Sequence, residues 1–254
     1  MKAGREYDQR HQCHDSARII KRWQTVAKAA GLTTTTLHTT PQGYPVQLFQ
    51  TRHYAAGGLY LSAGVHGDEP APVAAFIDWA EDNLALLRQA NACLLPLFNP
   101  EGLQRNTRTD EEGTDLNRNF NSAAHPHTGA WLRAMEGRQF KCGIMLHEDY
   151  DARGLYAYEV SRDPALTTQP YLAAAEKYLP LDPRPTIDGF PAKSSVIKRS
   201  RIPKNLPGLP EALVIFQHHA AASFTFETPS EFSLARRVAA HRAILDTAFH
   251  LHPQ

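Results

Sequence analysis

The apolar positions of the sequence predict a chain in which strands alternate with helices. Residues 16–30 have helical spacing and end at Gly31, and the threonine-rich stretch before PQGYP predicts a strand, a turn and a second strand. Residues 58–64 (GLYLSAG) indicate a buried strand, and a helical pattern starts at Pro70. The apolar members of that pattern are Val73, Phe76, Ile77, Ala80, Leu84 and Leu87. This segment therefore predicts a β-to-α unit with His66 in its connecting loop.

Further strands and helices are expected along the rest of the chain. Residues 92–98 form a second apolar run. Because proline lacks a backbone N–H donor, Pro96 indicates that this run lies at the edge of a sheet, at the end of a strand or at a bulge. The other strand candidates are 141–146 (KCGIML), 155–160, 212–216 and 223–226, and helical segments lie near 126–136, 166–178 and 231–249. Ser230 is the expected cap of the last helix and Glu231 lies in its first turn.

This order of elements predicts one α/β domain over residues 1–254, with a mixed, mainly parallel sheet covered by helices on both faces. In such sheets, ligands bind beyond the carboxyl ends of the strands. His66, Asn99, His147 and Glu227 each follow or close a predicted strand. We therefore expect these four side chains to meet along one edge of the sheet.

Composition and charge restrict the classes of partner. The net charge of +1 gives no general attraction to nucleic acid or to an acidic membrane surface, so a small polar substrate is the better expectation. The first twenty residues lack the apolar core of a secretory signal, and no segment approaches the ~20 apolar residues of a membrane span. We therefore expect a cytoplasmic protein.

The segment AGVHGDEP places an imidazole and a carboxylate three residues apart, at His66 and Glu69, in a tight loop before a helix. Catalytic zinc usually has three protein ligands, and two histidines with one glutamate are an established set. His147, which follows the apolar run KCGIML, is placed to complete it. Taken alone, H-x-x-E also occurs in ordinary surface contacts and His147 could be a structural histidine. The acidic run that follows, Glu148, Asp149 and Asp151, could be a solvated turn.

Additional motifs extend this pattern in a fixed order. They are HGDE, the NPEG turn, Arg108 placed ten residues before the arginine of DLNRNF, a histidine after an apolar strand, and FTFETP near the end. In these motifs the sequence resembles the zinc carboxypeptidases of the M14 type and their relatives, the murein peptide amidases and the succinylglutamate desuccinylase and aspartoacylase group. The motifs span residues 58–228, and their shared order makes the resemblance specific although each motif is weak.

The resemblance implies one zinc ion per chain, with His66, Glu69 and His147 as its ligands. It implies that Asp115 orients the first histidine, which agrees with the usual pairing of a ligand imidazole with a carboxylate. Glu227 matches the general base that activates the zinc-bound water. The simpler alternatives are that Asp115 caps its own loop and that Glu227 is a strand-end carboxylate in contact with water.

The same resemblance assigns substrate contacts to the loop that contains Arg108 and Arg118. Asn117 and Arg118 match the pair that binds the terminal carboxylate of the substrate, and a guanidinium can bind a carboxylate through two parallel hydrogen bonds. Arg108 matches the arginine that polarises the scissile carbonyl, with Arg105 as the alternative for that role. All three arginines could instead be solvated loop charges.

The implied reaction is hydrolysis of an amide bond next to a free carboxylate, in a small peptide or an acylated amino acid. An N-acyl amino-acid deacylase is the alternative, and a non-catalytic binding relative is the third reading. The family often has a mobile tyrosine before the catalytic glutamate, but none lies between Tyr178 and Glu227. Tyr150, Tyr156 and Tyr158 follow the third ligand, and we assign a catalytic role to none of them.

A basic cluster lies in that interval and consists of Lys193, Lys198, Arg199, Arg201 and Lys204. Such a run is usually a solvated face of the protein. It could also attract an acidic substrate.

Overall fold

The computed structural model describes residues 12–199, 202, 206 and 208–252. The helices of this part are α1 (Ser16–Ala30), α2 (Pro70–Asp82), α3 (Leu84–Gln89), α4 (Pro100–Arg105), α5 (Pro126–Met135), α6 (Gln169–Ala175), α7 (Glu211–His218) and α8 (Leu234–Leu251). The strands are β1 (Thr33–Thr39), β2 (Pro45–Gln50), β3 (Gly58–Ala63), β4 (Ala92–Leu95), β5 (Phe140–Asp149), β6 (Tyr156–Ser161), β7 (Thr186–Ile187), β8 (Phe190–Pro191), β9 (Val196–Arg199) and β10 (Ala220–Pro229). None of these helices is long and apolar enough to cross a membrane.

Eight of the described strands form one mixed sheet in the order β1-β2-β4-β3-β5-β10-β6-β9. The pairs β4–β3, β3–β5, β5–β10 and β6–β9 are parallel, while β1–β2, β2–β4 and β10–β6 are antiparallel. The parallel strands β4, β3, β5 and β10 form the middle of the sheet, so their carboxyl ends lie at one edge. The predicted α/β class with a mixed, mainly parallel sheet is confirmed.

Helices cover both faces of this sheet. Successive residues of a strand face opposite sides, so the apolar residues of the middle strands pack against helices on each face. On one face, Leu61 of β3 and Phe226 of β10 belong to the apolar cluster that contains Trp23 of α1. On the other face, Tyr60 of β3 belongs to a second cluster that contains Trp131 of α5. The middle strands are therefore buried on both sides, which is the pattern expected of parallel strands.

The β3–α2 unit forms as the sequence predicts. The strand ends at Ala63, and Gly64 has a positive φ of 67°, a conformation that glycine adopts without strain. Pro70 is the first residue of α2, a position where the missing N–H of proline has no cost. The loop between them contains His66 and Glu69 at the carboxyl edge of the sheet.

Three expectations about local structure are wrong. Residues 212–216 are not a strand but part of α7, whose apolar residues pack on the sheet. The prediction is wrong because a short apolar run does not distinguish a strand from a buried helix. Ser230 is not the cap of the last helix, because α8 starts at Leu234 with Ser233 as the cap residue, so Glu231 lies before the helix. Leu84 and Leu87 belong to the separate helix α3.

The run at residues 92–98 forms the inner strand β4, which pairs with β2 and β3 and ends at Leu95, directly before Pro96. Of the alternatives for the proline, the end of a strand is therefore the correct one. Beyond it, Asn99 caps the short helix α4 by accepting the Gly102 N–H at 2.8 Å, and this helix was not predicted.

Candidate active site

The two middle strands β5 and β10 bring the later candidates together. In their parallel register, Glu227 lies opposite His147, and on its other side Glu227 lies opposite Tyr156 of β6. The loop after β3, on the far side of β5, supplies His66 and Glu69. The site is therefore assembled at the carboxyl edge of the sheet, as the positions in the sequence predict.

His66, Glu69 and His147 converge in this edge, and each has an exposed fraction of only 3%. The Nδ1 atom of His66 lies 2.5 Å from Oε1 of Glu69, and the Nδ1 atom of His147 lies 2.9 Å from its Oε2. One ligand atom from each residue falls within 4.8 Å of the other two. Two imidazole nitrogens and one carboxylate oxygen at this spacing fit a zinc ion with an open fourth position.

Asp115 fixes the ring of His66. Its Oδ1 lies 3.2 Å from the Nε2 atom of His66, which leaves Nδ1 directed toward Glu69. The same oxygen accepts the backbone N–H of Asn117 at 2.9 Å, while Oδ2 accepts the Nε–H of Arg108 at 3.1 Å. Asp115 therefore caps its own loop and orients the histidine at the same time, so the two alternatives for this residue do not exclude each other.

The charges of the three residues depend strongly on one another. Burial lowers the pKa of His66, but the carboxylate of Glu69 and the hydrogen bond to Asp115 outweigh burial and raise this pKa to about 9. Burial also lowers the pKa of His147, and Glu69 again reverses the shift and raises it. Burial raises the pKa of Glu69, yet the two imidazoles lower it well below its usual range. The arrangement thus stabilises positive charge beside a carboxylate, and a bound cation can supply that charge in place of protons.

Glycines bring the two motif loops into contact. A Cβ atom on Gly67 would lie 1.9 Å from the carbonyl carbon of Gly102, so the backbones of HGDE and NPEG touch without space for a side chain. The N–H of Asn99 donates to the carbonyl oxygen of Gly64 at 2.8 Å, which fastens the same two loops. This contact explains the glycine of HGDE, whereas the glycine of NPEG leaves space for the Asn99 side chain, and the Arg108 guanidinium lies 3.8 Å from Glu69.

Glu227 is partly buried on the wall of the cleft. Burial raises the pKa of its carboxyl group well above the usual range, the neighbouring His147 lowers it, and the carboxylate of Glu69 raises it further. A cation held by His66, Glu69 and His147 would favour the ionised form of Glu227, as a nearby positive charge does for any carboxylate. The site therefore suits a base that accepts a proton readily once a cation is bound.

A cavity of about 330 Å³ opens beside these residues, a volume suited to a small ligand. Its wall contains His66, Glu69, Arg108, Asn117, Arg118, Asp149, Tyr156, Tyr158, Phe190, Arg199 and Glu227. Arg105 does not line it and instead pairs with Glu101 at 2.9 Å, so the geometry favours Arg108 over Arg105. The Oδ1 atom of Asn117 accepts the Glu211 N–H at 3.0 Å, so Nδ2 is its donor atom.

Sequence reasoning missed part of the cavity wall. Tyr156 and Tyr158 of β6 both line it, and their hydroxyl groups donate to Asp149 (3.0 Å) and Asp188 respectively. Alternation in the predicted strand at 155–160 already indicates that the two tyrosines share a face, but not that this face lines the cavity. Tyr150, in contrast, is exposed and lies outside this wall.

The acidic run after His147 is only partly a solvated turn, because Asp151 is exposed in a turn whereas Glu148 is still in β5. Glu148 is buried and pairs with Arg237 at 2.5 Å, and burial raises the pKa of its carboxyl group to about 7. Its backbone N–H donates to Oε2 of Glu69 at 3.0 Å. Glu148 thus holds the Glu69 carboxylate through its main chain and connects the site to α8 through its side chain.

The basic cluster is divided by the alternation of β9. Arg199 lines the cavity, with its guanidinium 3.7 Å from the ring centre of Phe190. Lys198 points the other way, is 63% exposed and pairs with Glu159 at 2.8 Å, and Lys193 is exposed. Arg201 and Lys204 lie outside the described residues.

Comparisons with known proteins agree with the motifs. Residues 55–143 match the family model described as the succinylglutamate desuccinylase/aspartoacylase catalytic domain. A candidate metallopeptidase from Shewanella denitrificans superposes with a TM-score of 0.82 at 21% identity, and the aligned region covers 94% of this chain and 91% of the Shewanella chain. A metallo-carboxypeptidase from Burkholderia cenocepacia gives 0.65 at 17% identity, covering 91% of this chain and 67% of its own.

The murein-tripeptide amidase of Escherichia coli O157 has a TM-score of 0.55 at 18% identity, covering 85% of this chain and 91% of its own. At these identities the likeness concerns the fold. No curated protein sequence matches the chain significantly. The shared fold and the match of residues 55–143 to the family model confirm the resemblance to the M14-like superfamily.

Proposed function

We propose that this chain, which shares the fold of the M14-like superfamily, is a zinc-dependent hydrolase that cleaves an amide bond next to a free carboxylate. The observation that carries the proposal is the convergence of His66, Glu69 and His147 beside Glu227 at the wall of a cavity. Zinc at this donor set would act as a Lewis acid that activates water and polarises a carbonyl group. One such ion per chain belongs to this site.

Glu227 acts as the general base in this proposal. It removes a proton from the attacking water and then passes that proton to the leaving amine. Its register position beside His147 puts the carboxylate next to a ligand without making it one. A base in that position can change its protonation state without loss of the ligand set.

Arg108 stabilises the oxygen of the scissile carbonyl as negative charge develops. Its guanidinium is held by Asp115 at 3.1 Å and lies 3.8 Å from Glu69, and 43% of the side chain remains exposed. The contact to Asp115 uses Nε, so the terminal nitrogens can donate into the cavity. A preorganised donor of this kind contributes about 3 kcal/mol to transition-state stabilisation.

Asn117 and Arg118 bind the free carboxylate of the substrate. They follow Asp115 directly and both line the cavity, and the Nη1 atom of Arg118 donates to the Asn117 carbonyl at 2.9 Å. That contact leaves the other guanidinium nitrogens for a paired contact with a carboxylate. The amide bond to be cleaved therefore lies between this anchor and the metal ligands.

An N-acyl amino-acid deacylase is the second candidate function. It is favoured by the match of residues 55–143 to the desuccinylase/aspartoacylase catalytic domain, which includes His66, Glu69, Arg108 and Arg118. Both functions use the same donor set and the same base. They differ in whether the cavity binds a peptide or a short acyl group.

A substrate screen separates these functions. Zinc-loaded protein is assayed against peptides with free carboxyl ends, murein-type peptides and N-acyl amino acids, with amine release as the readout. We expect hydrolysis in one class that is lost after chelation and restored by zinc. The absence of zinc-dependent hydrolysis in all three classes would overturn the proposed function and favour the non-catalytic reading.

A further inference from the structure

A second group of potential metal ligands lies apart from His66, Glu69 and His147. Asp110 is in the loop that contains Arg108, while His125 and His127 flank the first residue of α5. One ligand atom from each of these three residues falls within 4.8 Å of the other two. We call Asp110, His125 and His127 the α5 cluster. None of them lines the cavity described above.

Asp110 and His127 of the α5 cluster are buried, His125 is partly buried, and several of their polar atoms make no hydrogen bond. His127 has an exposed fraction of 0%, and neither of its ring nitrogens has a hydrogen bond within the described part of the chain. The same holds for both ring nitrogens of His125 and for Oδ2 of Asp110. Because buried polar groups in native proteins nearly always have partners, five such atoms at one point indicate a missing binding partner.

The geometry directs these atoms toward a common point. The Oδ1 atom of Asp110 accepts the backbone N–H groups of Glu112 and Thr114 at 3.0 and 2.8 Å, so the carboxylate is held with Oδ2 facing His125. The Nε2 atom of His125 lies 2.9 Å from that Oδ2 without forming a hydrogen bond. These two atoms therefore lie close enough to each other, and to His127, to bind the same ion.

The chemistry of the donor set selects the type of ion. Two imidazoles and one carboxylate favour zinc and similar transition metals over calcium or magnesium, which prefer oxygen ligands. Water molecules would satisfy some of the same atoms, and the experiment below distinguishes the two cases.

We propose that Asp110, His125 and His127 bind a second divalent transition metal ion of the zinc class. This ion fastens the loop of Arg108 and Asp115 to the start of α5, so its role is to hold the substrate-binding loop in place. His38 and Glu111 form another group with His127, whose ligand atoms also fall within 4.8 Å of one another. These two residues lie beside the proposed ion but are not its ligands.

The test uses protein whose first site is removed by the substitutions His66→Ala and His147→Ala, with zinc measured by mass spectrometry after dialysis. We expect close to one zinc ion per chain in this protein and close to none after the further change His127→Gln or Asp110→Asn. His53→Gln, which removes an exposed histidine, is the matched control and should retain the ion. No bound zinc in the folded starting protein, or zinc that persists after both further changes, would overturn the second site.

A direct measurement covers the case in which the variants fail to fold. Crystals of the unaltered protein grown with zinc are examined for anomalous scattering at the zinc edge. We expect a peak within coordination distance of Asp110, His125 and His127, separate from any peak at His66 and His147. Ordered water without anomalous signal at the α5 cluster contradicts the proposal, as does a peak bound by His38 and Glu111 instead of Asp110 and His125.

Discussion

Glu227 and His147 lie opposite each other in the parallel register of β10 and β5. This relationship places a carboxylate next to a candidate ligand on a rigid part of the sheet, rather than on a loop. A one-residue slip of the register would turn Glu227 to the other face, where Phe224 and Phe226 belong to the apolar core. The packing of the core therefore fixes the position of the proposed base.

Replacing Glu227 with a residue that cannot accept a proton should lower kcat strongly and leave the bound zinc in place. Glu227→Gln keeps the size of the side chain but cannot accept a proton, so we expect kcat to fall by about 10²–10⁴-fold. The zinc content should stay at the unaltered level because Glu227 is not a ligand. Parallel measurement of kcat and zinc content checks both parts, and full activity in this variant removes Glu227 from the mechanism.

Zinc binding should release protons. The raised pKa of His66, about 9, means that its ring carries two protons below that pH in the metal-free protein, and Nδ1 must lose one to bind zinc. The apparent affinity should therefore fall by about tenfold for each unit of pH below 9, per proton displaced. Calorimetry at pH 7 in buffers of different ionisation enthalpy measures the released protons. Binding without proton release would contradict the assigned charges of His66 and Glu69.

Recognition of the free carboxylate should depend on the shape of the Arg118 side chain as well as on its charge. Lysine keeps the charge but cannot form two parallel hydrogen bonds, so Arg118→Lys should lower kcat/KM by about 10–100-fold. Amidation of the substrate carboxyl end should have a similar effect on the unaltered protein and little further effect on the variant. Arg105→Lys is the matched control because Arg105 lies outside the cavity wall. Equal rates on free and amidated substrates would mean that the anchor lies elsewhere.

Selection of acidic substrates should depend on Arg199, which lines the cavity, and not on the exposed Lys193. Arg199→Gln should lower kcat/KM for an acidic substrate several-fold more than for a matched neutral one. This difference should shrink at high salt, which screens the attraction. Lys193→Gln removes the same charge at the surface and should leave both rates nearly unchanged. If the two substrates respond equally to Arg199→Gln, the basic cluster has no role in selectivity.

The sequence predicts much of the site because its residues follow strands whose periodicity is clear. His66 lies in the loop after β3, and both His147 and Glu227 lie near the ends of long buried strands, so the topology of a mainly parallel sheet brings them together. The spacing also indicates which residues share a loop, as with Arg108 and Arg118. The spacing does not show in which direction a side chain of a loop points. The pairing of Arg105 with Glu101 was therefore visible only in the structure.

Other features depend on tertiary packing and could not be derived in the same way. The apolar run at 212–216 packs against the sheet as a helix, and Pro210 followed by Glu211 is the start signal that would have corrected the strand prediction. In the α5 cluster, the segment between Asp110 and His125 is a loop with one short 3-10 helix at Leu116–Arg118, so no periodicity relates the two residues. The pair His-Pro-His at residues 125–127 is the one local signal of that cluster.

In the proposed function, His66, Glu69 and His147 hold the zinc ion that hydrolysis requires, and zinc content and hydrolysis measured together in His147→Ala test this assignment. We expect this variant to lose about one zinc ion per chain relative to the unaltered protein and to lose zinc-dependent hydrolysis completely, while His53→Gln loses neither. Unchanged zinc content together with unchanged hydrolysis in His147→Ala would mean that neither the ion nor the reaction depends on this site.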